Sequence, residues 1–166
     1  MVQLLTMPKV RFMPRMLWLL LLCPAWAQAS CFELAARTYG VPMVLLQAIA
    51  QQESGGRATA IHVNRNGSRD IGLMQINSGW LHSLARHGIA ERDLYDPCVN
   101  TLVGAWVLAN NFARLGYTTQ GLGAYNAASP DKRERYAAQV LRRVAHLSTA
   151  GVQAVQYPPP TVAYLP

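Results

Sequence analysis

The most constraining feature of this chain is a nearly continuous apolar segment that follows Pro42. It reads M-V-L-L-Q-A-I-A and continues as Q-Q-E-S-G-G. Pro42 suits the first turn of a helix, and the two glycines after Ser54 suit its end. Residues 43–46 and 48–50 are apolar, which covers too much of the helix circumference for a surface position. We therefore expect this helix to cross the core, with the other elements packed around it.

The first 29 of the 166 residues have the features of a secretory signal peptide. Three basic residues precede the apolar run 16–23, and an A-x-A sequence follows at 27–29. The run is shorter than the roughly 20 residues that a membrane-spanning helix needs. We predict cleavage between Ala29 and Ser30, export to the periplasm, and no stable membrane anchor afterwards.

Removal of this leader leaves 12 basic and 8 acidic side chains, a net charge of +4. That excess suits a polyanionic surface such as a cell wall or nucleic acid. The nearest approach to a basic patch is K-R-E-R at 132–135, which Glu134 interrupts, and a solvated helix face explains it as well. Since no nucleic-acid-binding motif accompanies the charge, we expect no nucleic-acid partner.

Two cysteines remain after the leader, Cys31 and Cys98. Two cysteines in an exported protein most often form one disulfide, and two buried free thiols are the alternative. Closing so long a loop corresponds to about 4 kcal/mol in the chain-entropy account. The chain has no C-x-x-C or H-E-x-x-H sequence, and its histidines are scattered. We therefore predict no metal site and no cofactor.

Helical signals dominate the rest of the chain. The Asn66-Gly67 pair predicts a type I′ β-hairpin, which places Asp70 on the returning strand. The patterned sequence stops near residue 150, and the proline-rich residues 151–166 are typical of an extended tail. We therefore predict one mainly α domain with a small β-hairpin at residues 30–150. The predicted helices cover approximately residues 31–39, 42–54, 78–86, 97–115, 119–125 and 130–147.

Glu53 stands at the end of the apolar helix, beside two glycines. Desolvation there disfavours the charged carboxylate and raises its pKa. A carboxylic acid that stays protonated can protonate the leaving oxygen of a glycosidic bond. The alternative is a helix-end glutamate that pairs with Arg57 on the surface.

The segment G-L-M-Q-I-N at 72–77 offers groups that suit a sugar. Gly72 would let the backbone approach a ligand closely. Gln75 and Asn77 offer amide groups to hydroxyl and N-acetyl groups, and Trp80 offers a flat apolar face for stacking. An ordinary strand-to-helix junction, with the apolar residues in the core, is the alternative.

Four motifs in this chain resemble, in order and spacing, those of soluble lytic transglycosylase catalytic domains. They are E-S at 53–54, G-L-M-Q-I-N at 72–77, A-Y-N at 124–126 and Tyr136 in the last helix. The segments C-F-E-L-A-A, D-I-G-L-M-Q-I-N-S and D-P-C-V-N are similar to the small transglycosylases that accompany secretion, conjugation and pilus systems. The resemblance implies a lysozyme-like α+β fold, peptidoglycan as the substrate, a paired Cys31 and Cys98, and such an apparatus as a partner. We expect a monomer.

The resemblance also implies a role for the motif residues. Glu53 would protonate the bond between N-acetylmuramic acid (MurNAc) and N-acetylglucosamine (GlcNAc). It would then deprotonate the C6 hydroxyl of the muramyl sugar, which closes a 1,6-anhydro ring without water. Such assistance is worth about 10²–10⁴-fold in rate. Tyr125 would hydrogen-bond Glu53 and hold its rotamer. The residues that line the sugar site or pack beside it would be Ser54, Met74, Gln75, Asn77, Asn126 and Tyr136.

Asp70 departs from the single-carboxylate pattern of many transglycosylases. Residues 64–80 are similar to the hairpin of animal-type lysozymes, where an aspartate stands two residues before the same glycine. Asp70 would then stabilise an oxocarbenium ion, or act as the nucleophile of a muramidase that hydrolyses the same bond. A hairpin aspartate paired with Arg65 or Arg69 is the alternative. A third function, a non-catalytic wall-binding module, fits poorly with an intact Glu53.

Overall fold

The structure is a computed structural model that describes residues 25–149, with side chains from 31 to 148. Most of the predicted signal peptide and the tail at 151–166 lie outside the described residues. Within them, the chain forms six α-helices, two 3-10 helices and a three-stranded sheet, which confirms the predicted mainly α fold with a small β-sheet. The elements are α1 (Ala25–Tyr39), α2 (Met43–Ser54), β1 (Ile61–Val63), β2 (Arg69–Ile71), β3 (Ile76–Asn77), the 3-10 helices Ser78–Trp80 and Glu91–Tyr95, α3 (Leu81–Ala85), α4 (Pro97–Leu115), α5 (Thr119–Gly123) and α6 (Pro130–Thr149).

Helix α2 crosses the core, as its apolar composition predicts. Leu46 and Ile49 are fully buried, and the helix contacts α1, α4 and α6. Gly55 ends the helix in the left-handed conformation, with φ of 63°. Pro42 is its N-cap rather than a residue of the first turn, because its ψ of 131° is extended. The end of α2 is thus fixed in the core, and Glu53 is carried on it.

Helices α1 and α4 pack against each other and carry the two cysteines. The Cα atoms of Cys31 and Cys98 are 5.1 Å apart, which confirms that the pair lies at disulfide distance. The described part of helix α1 starts at Ala25 and includes the predicted cleavage point after Ala29, which stays a prediction. Asp96 caps α4 by accepting hydrogen bonds from the backbone N–H groups of residues 98 and 99. No helix among the described residues has both the length and the apolar character that crossing a membrane requires.

The sheet has the order β1-β2-β3, and both pairs of strands are antiparallel. Asp70 lies on the central strand, between His62 and Asn77. The predicted type I′ turn is wrong: Gly67 has φ of 81°, but Asn66 does not have the positive φ that a type I′ turn requires. The hairpin instead closes through a longer loop, in which the backbone N–H of Asn64 donates to the carbonyl of Ser68 at 2.8 Å.

Two further elements differ from the sequence prediction. The helix predicted near 78–86 is divided into a 3-10 turn, capped by the Asn77 side chain, and the short helix α3. The 3-10 helix Glu91–Tyr95 was not predicted. The last helix begins at Pro130 as predicted, and the carbonyl of Ser129 accepts its first backbone hydrogen bond. Helix α6 packs on α2 and α5, which brings Tyr136 to the end of α2.

Candidate active site

A cleft lies where the end of α2 meets the β-sheet. It consists of two adjoining cavities of about 680 and 660 Å³. The two cavities share the same five lining residues, so we treat them as two halves of one cleft. These residues are Glu53, Asn64, Asp70, Gln75 and Asn126. Glu53 and Asp70 therefore face the middle of the cleft, with open space on either side.

Glu53 is partly buried in the last turn of α2, and its Oε1 accepts a hydrogen bond of 2.5 Å from the Tyr136 hydroxyl. Burial raises the pKa of the Glu53 carboxyl above its usual value. The Tyr136 hydrogen bond lowers this pKa and the nearby negative charge of Asp70 raises it, and the net direction is upward. The structure pairs Glu53 with a phenol rather than with Arg57. The raised pKa favours the protonated form of Glu53, which can act as a general acid in the cleft.

The structure exchanges the roles expected for the two tyrosines. The resemblance implies that Tyr125 bonds to Glu53, but the Tyr125 hydroxyl donates to the Met74 carbonyl at 2.9 Å, and Tyr136 bonds to Glu53 instead. The physical reason is the packing of α6 on α2, which points Tyr136 at the carboxyl from behind. The two rings are nearly parallel, with centroids 6.4 Å apart. Burial raises the pKa of both phenols well above the usual value, so both stay protonated as hydrogen-bond donors.

Asp70 is held on the cleft wall by two side-chain amides. Its Oδ2 accepts from Asn64 Nδ2 at 2.9 Å, and its Oδ1 accepts from Asn77 Nδ2 at 2.7 Å. Arg69 pairs with Glu91 at 2.6 Å, so it does not provide the ion pair that a structural role for Asp70 would use. Asp70 is thus a fixed carboxylate that faces the same space as Glu53.

The turn at residues 72–75 is held by hydrogen bonds from two helices, α2 and α4, and from the segment that follows α5. Ser54 Oγ donates to the Leu73 carbonyl at 2.7 Å, and Tyr125 donates to the Met74 carbonyl from beyond α5. On the α4 side, Asn100 Oδ1 accepts from the Met74 backbone N–H at 2.6 Å. These hydrogen bonds therefore hold the cleft wall beside Glu53 in a fixed position relative to α2, the helix that carries Glu53.

Gly72 has a different role from the one expected. It has φ of 79°, and a Cβ built there would lie 2.3 Å from Asn100 Nδ2. That amide is fully buried and donates to the carbonyls of Ile71 and Leu94. The glycine therefore makes room for Asn100 and not for a ligand. Asn100 was missed as a site residue, although an asparagine at the start of the largely apolar helix α4 is a signal that could have identified it.

The other predicted sugar-binding residues fall into two groups. Gln75, Asn77, Trp80, Tyr125 and Asn126 line the cleft. Ser54, Met74 and Tyr136 are buried and lie behind its wall. Trp80 is 37% exposed and packs edge-on against Trp106, which leaves part of its ring open to the cleft.

Polar residues of the hairpin also line the cleft, and sequence reasoning had not assigned them to the site. They are Asn64, Arg65, Asn66 and Ser68. Their signal was the polar run N-R-N-G-S itself, which had been assigned only to a turn. The cleft thus combines a proton donor, a fixed carboxylate, amides and an aromatic face, which is the set of groups that a polymeric sugar needs.

Comparison with known proteins agrees with this geometry. Residues 30–141 match the family described as "Transglycosylase SLT domain". The chain is 43% identical to the invasion protein IagB of Salmonella typhimurium over 129 residues, which cover 75% of this chain and 79% of that protein. It is 35% identical to protein IpgF of Shigella flexneri over 141 residues, which cover 81% and 93%. The X polypeptide of Escherichia coli K12 is 39% identical over 137 residues, with 79% of each chain covered. This chain therefore belongs to the transglycosylase SLT domain family.

Proposed function

We propose that this protein is a peptidoglycan lytic transglycosylase that cleaves the MurNAc-β-1,4-GlcNAc bond and leaves 1,6-anhydroMurNAc ends. One observation carries the proposal: Glu53, a partly buried carboxyl with a raised pKa, lines both halves of the cleft. A cleft that continues on both sides of the acid suits cleavage within a strand. Membership of the family supports the reaction class.

The proposed reaction needs one acid–base group. Glu53 donates its proton to the glycosidic oxygen while the bond from the muramyl C1 to that oxygen breaks. The resulting Glu53 carboxylate then takes the proton of the C6 hydroxyl, and the C6 oxygen bonds to C1. The proton has returned to Glu53 and no water is consumed. Tyr136 holds Glu53 Oε1 through both steps, because its hydrogen bond suits the carboxylate as well as the acid.

A muramidase that hydrolyses the same bond is the second candidate, and the position of Asp70 favours it. In lysozyme, a desolvated glutamate is the acid while a hydrogen-bonded aspartate stays ionised as nucleophile or stabiliser. Glu53 and Asp70 have a similar division of environments here, one desolvated and the other bound by two amides. Under the transglycosylase proposal, Asp70 stabilises positive charge on the sugar and forms no bond to it.

The proposed setting is the periplasm, where the protein would open the wall locally for an envelope-spanning apparatus. The predicted signal peptide supports export, and the name of the relative, invasion protein IagB, supports a task connected with invasion. N-terminal sequencing of the exported protein tests the first part. A mature N-terminus at Ser30 agrees with the proposal, and an intact leader on all of the protein contradicts it.

Mass spectrometry of muropeptides released from purified peptidoglycan tests the reaction itself. The proposal expects products lighter by one water molecule than hydrolysed products, because the anhydro ring forms without water. Reducing muramyl ends would instead establish the muramidase. Glu53→Gln is the control, since it keeps an oxygen for Tyr136 but has no acidic proton to transfer to the glycosidic oxygen. Equal release by the variant and the natural protein would contradict both candidates.

A further inference from the structure

Two arginines line the cleft, each in a different half. Arg57 lines the half that also contains Ile61 and His62. Arg65 lies in the hairpin loop and lines the half that contains Trp80. Glu53 and Asp70 line both halves, so a cation is available on either side of the reacting centre.

Neither arginine has an ion-pair or hydrogen-bond partner among the side chains that the structure describes. The salt bridges among side chains 31–148 join Arg37 to Glu33, Arg69 to Glu91, and Arg92 to Asp93. Within that same range, no hydrogen bond involves the guanidinium of Arg57 or Arg65, and both side chains are exposed. A guanidinium without a partner can bind a carboxylate through two parallel hydrogen bonds, and it breaks no internal contact to do so.

The negative charge at the centre of the cleft indicates which kind of substrate would need these arginines. The centre contains a fixed carboxylate, Asp70, which repels an anionic substrate. A neutral glycan needs no compensating cation, but a strand that carries carboxylates does. Muramyl residues alternate with GlcNAc along peptidoglycan, so their acidic substituents occur on both sides of any cleaved bond. One arginine in each half matches that arrangement.

We propose that Arg57 and Arg65 bind the carboxylates of the stem peptides and make the cleft selective for peptide-bearing glycan strands. The inference rests on the proposed function, because it names the substrate class of the same cleft. Both arginines line the cleft and are exposed, so in the proposed complex they are available to groups that project from the strand into solvent. The carboxylates of a stem peptide project in this way.

A second source of the same chemistry is the lactyl carboxylate, which amidase treatment frees on peptide-free strands. Two substrates therefore separate the sources: soluble peptide-bearing strands, and the same strands stripped by amidase. The variant is Arg57→Gln with Arg65→Gln. We expect its KM on peptide-bearing strands to rise about 3- to 10-fold, as two exposed ion pairs allow, without a comparable rise on stripped strands. A rise confined to the stripped strands would overturn the stem-peptide assignment in favour of the lactyl carboxylate. An equal rise on both substrates would overturn it in favour of a group that the two kinds of strand share. No rise on either would overturn the role of the arginines.

A matched control removes the same charge elsewhere. Arg135 and Arg142 are exposed on α6 and do not line the cleft. The variant Arg135→Gln with Arg142→Gln therefore loses two positive charges, and we expect the KM of the natural protein. If the control raised KM as much as the cleft variant does, net charge would explain the effect and the proposal would fail.

Binding to a non-cleaving protein separates this inference from the proposed reaction. Calorimetric titration of Glu53→Gln with peptide-bearing strands gives a Kd in the absence of turnover. Adding the two cleft substitutions should raise this Kd about 3- to 10-fold. The rise should be smaller at high salt, because salt screens the exposed ion pairs. If the natural protein cleaved no strand while this difference persisted, the proposed function would fail and the inference would stand. An unchanged Kd would sink the inference even if cleavage were observed.

Discussion

Tyr136 donates a 2.5 Å hydrogen bond to Glu53 Oε1, although 83 residues separate the two in sequence. The bond joins the last helix to the end of the core helix and orients the carboxyl in the cleft. Burial keeps the phenol protonated, so it remains a donor throughout the pH range in which the acid works. The packing of α6 on α2 thus orients the Glu53 carboxyl, and the hydrogen bond partly offsets the rise in its pKa that burial causes.

The substitution Tyr136→Phe removes this hydrogen bond and keeps the buried ring. The bond lowers the pKa of Glu53, so its loss should raise that pKa further and shift the alkaline limb of kcat/KM to higher pH. The orientation of the acid is also lost, and we expect kcat to fall about 10- to 100-fold, as for a hydrogen bond to a charged group. The measurement is the pH profile of muropeptide release.

Tyr125→Phe is the matched control for that experiment. It removes a phenol that donates to the Met74 carbonyl and leaves the bond between Tyr136 and Glu53 in place. Its alkaline limb should coincide with that of the natural protein, even if stability falls. If Tyr125→Phe moved the limb and Tyr136→Phe did not, Tyr125 would orient the acid, as the resemblance to the family implies.

The raised pKa of Glu53 should also appear in stability. The folded protein binds this proton more tightly than the unfolded chain, so its free energy of unfolding decreases as pH rises from the ordinary value of 4.5 through the raised value. Glu53→Gln lacks that decrease. The variant should therefore gain stability relative to the natural protein across this window and then level off.

Urea denaturation of both proteins from about pH 4 to about pH 8 measures this difference. Subtracting the two curves cancels the titration of the other groups. The difference is the free energy of unfolding of Glu53→Gln minus that of the natural protein, and we expect it to increase with pH. If this difference is constant over the whole range, folding does not shift the pKa of Glu53. A difference that declines with pH would mean that folding lowers it.

Asp70→Asn tests the fixed carboxylate. The negative charge of Asp70 raises the pKa of Glu53, so the variant should have its alkaline limb at lower pH. The substituted amide also faces the amides of Asn64 and Asn77, and at least one hydrogen bond to them is lost. We expect kcat to fall about 10-fold, with anhydro products retained, because the lost charge stabilises the sugar without bonding to it.

The control for Asp70→Asn is Glu91→Gln, which removes a carboxylate that pairs with Arg69 outside the cleft. It should leave the pH profile unchanged. If Asp70→Asn abolished release while the natural protein gave reducing ends, Asp70 would be the nucleophile of a muramidase.

Much of the fold could be predicted because its signals are local. The apolar residues of α2, the Asp96-Pro97 start of α4 and the Ser129-Pro130 start of α6 act within one or two turns of the backbone. The two cysteines limited the disulfide to a single pairing. The position of Glu53 at the end of a buried helix likewise indicated a desolvated acid before any packing was known.

The details of the site depended on contacts between distant segments. The resemblance to the family assigned the bond to Glu53 to Tyr125 and placed Tyr136 in the wall of the site, and only the packing of α6 on α2 shows that Tyr136 makes the bond. Gly72 signalled a close approach, but the sequence does not show that the approaching group is Asn100, 28 positions later. The type I′ turn failed for a related reason, since Asn66-Gly67 fits either a two-residue turn or a longer loop, and pairing of the flanking strands decides between them.

The contact between Gly72 and Asn100 gives a prediction about stability. An alanine at 72 would have to adopt φ of 79° and would place Cβ against the buried amide and the Leu94 carbonyl. Asn100 would then lose hydrogen bonds that hold the turn at 72–75, and a buried polar group without its partners is costly. We expect Gly72→Ala to lower the free energy of unfolding by about 4 kcal/mol, measured by urea denaturation.

Gly67→Ala separates backbone strain from this contact. Gly67 has nearly the same φ, 81°, but a Cβ built there meets nothing within 4 Å. Its substitution should cost only the left-handed backbone strain, about 1 kcal/mol. The difference between the two variants then measures the contribution of the Asn100 contacts. Equal losses at both glycines would mean that the turn yields to the new methyl group, and that Asn100 does not hold the cleft wall in place.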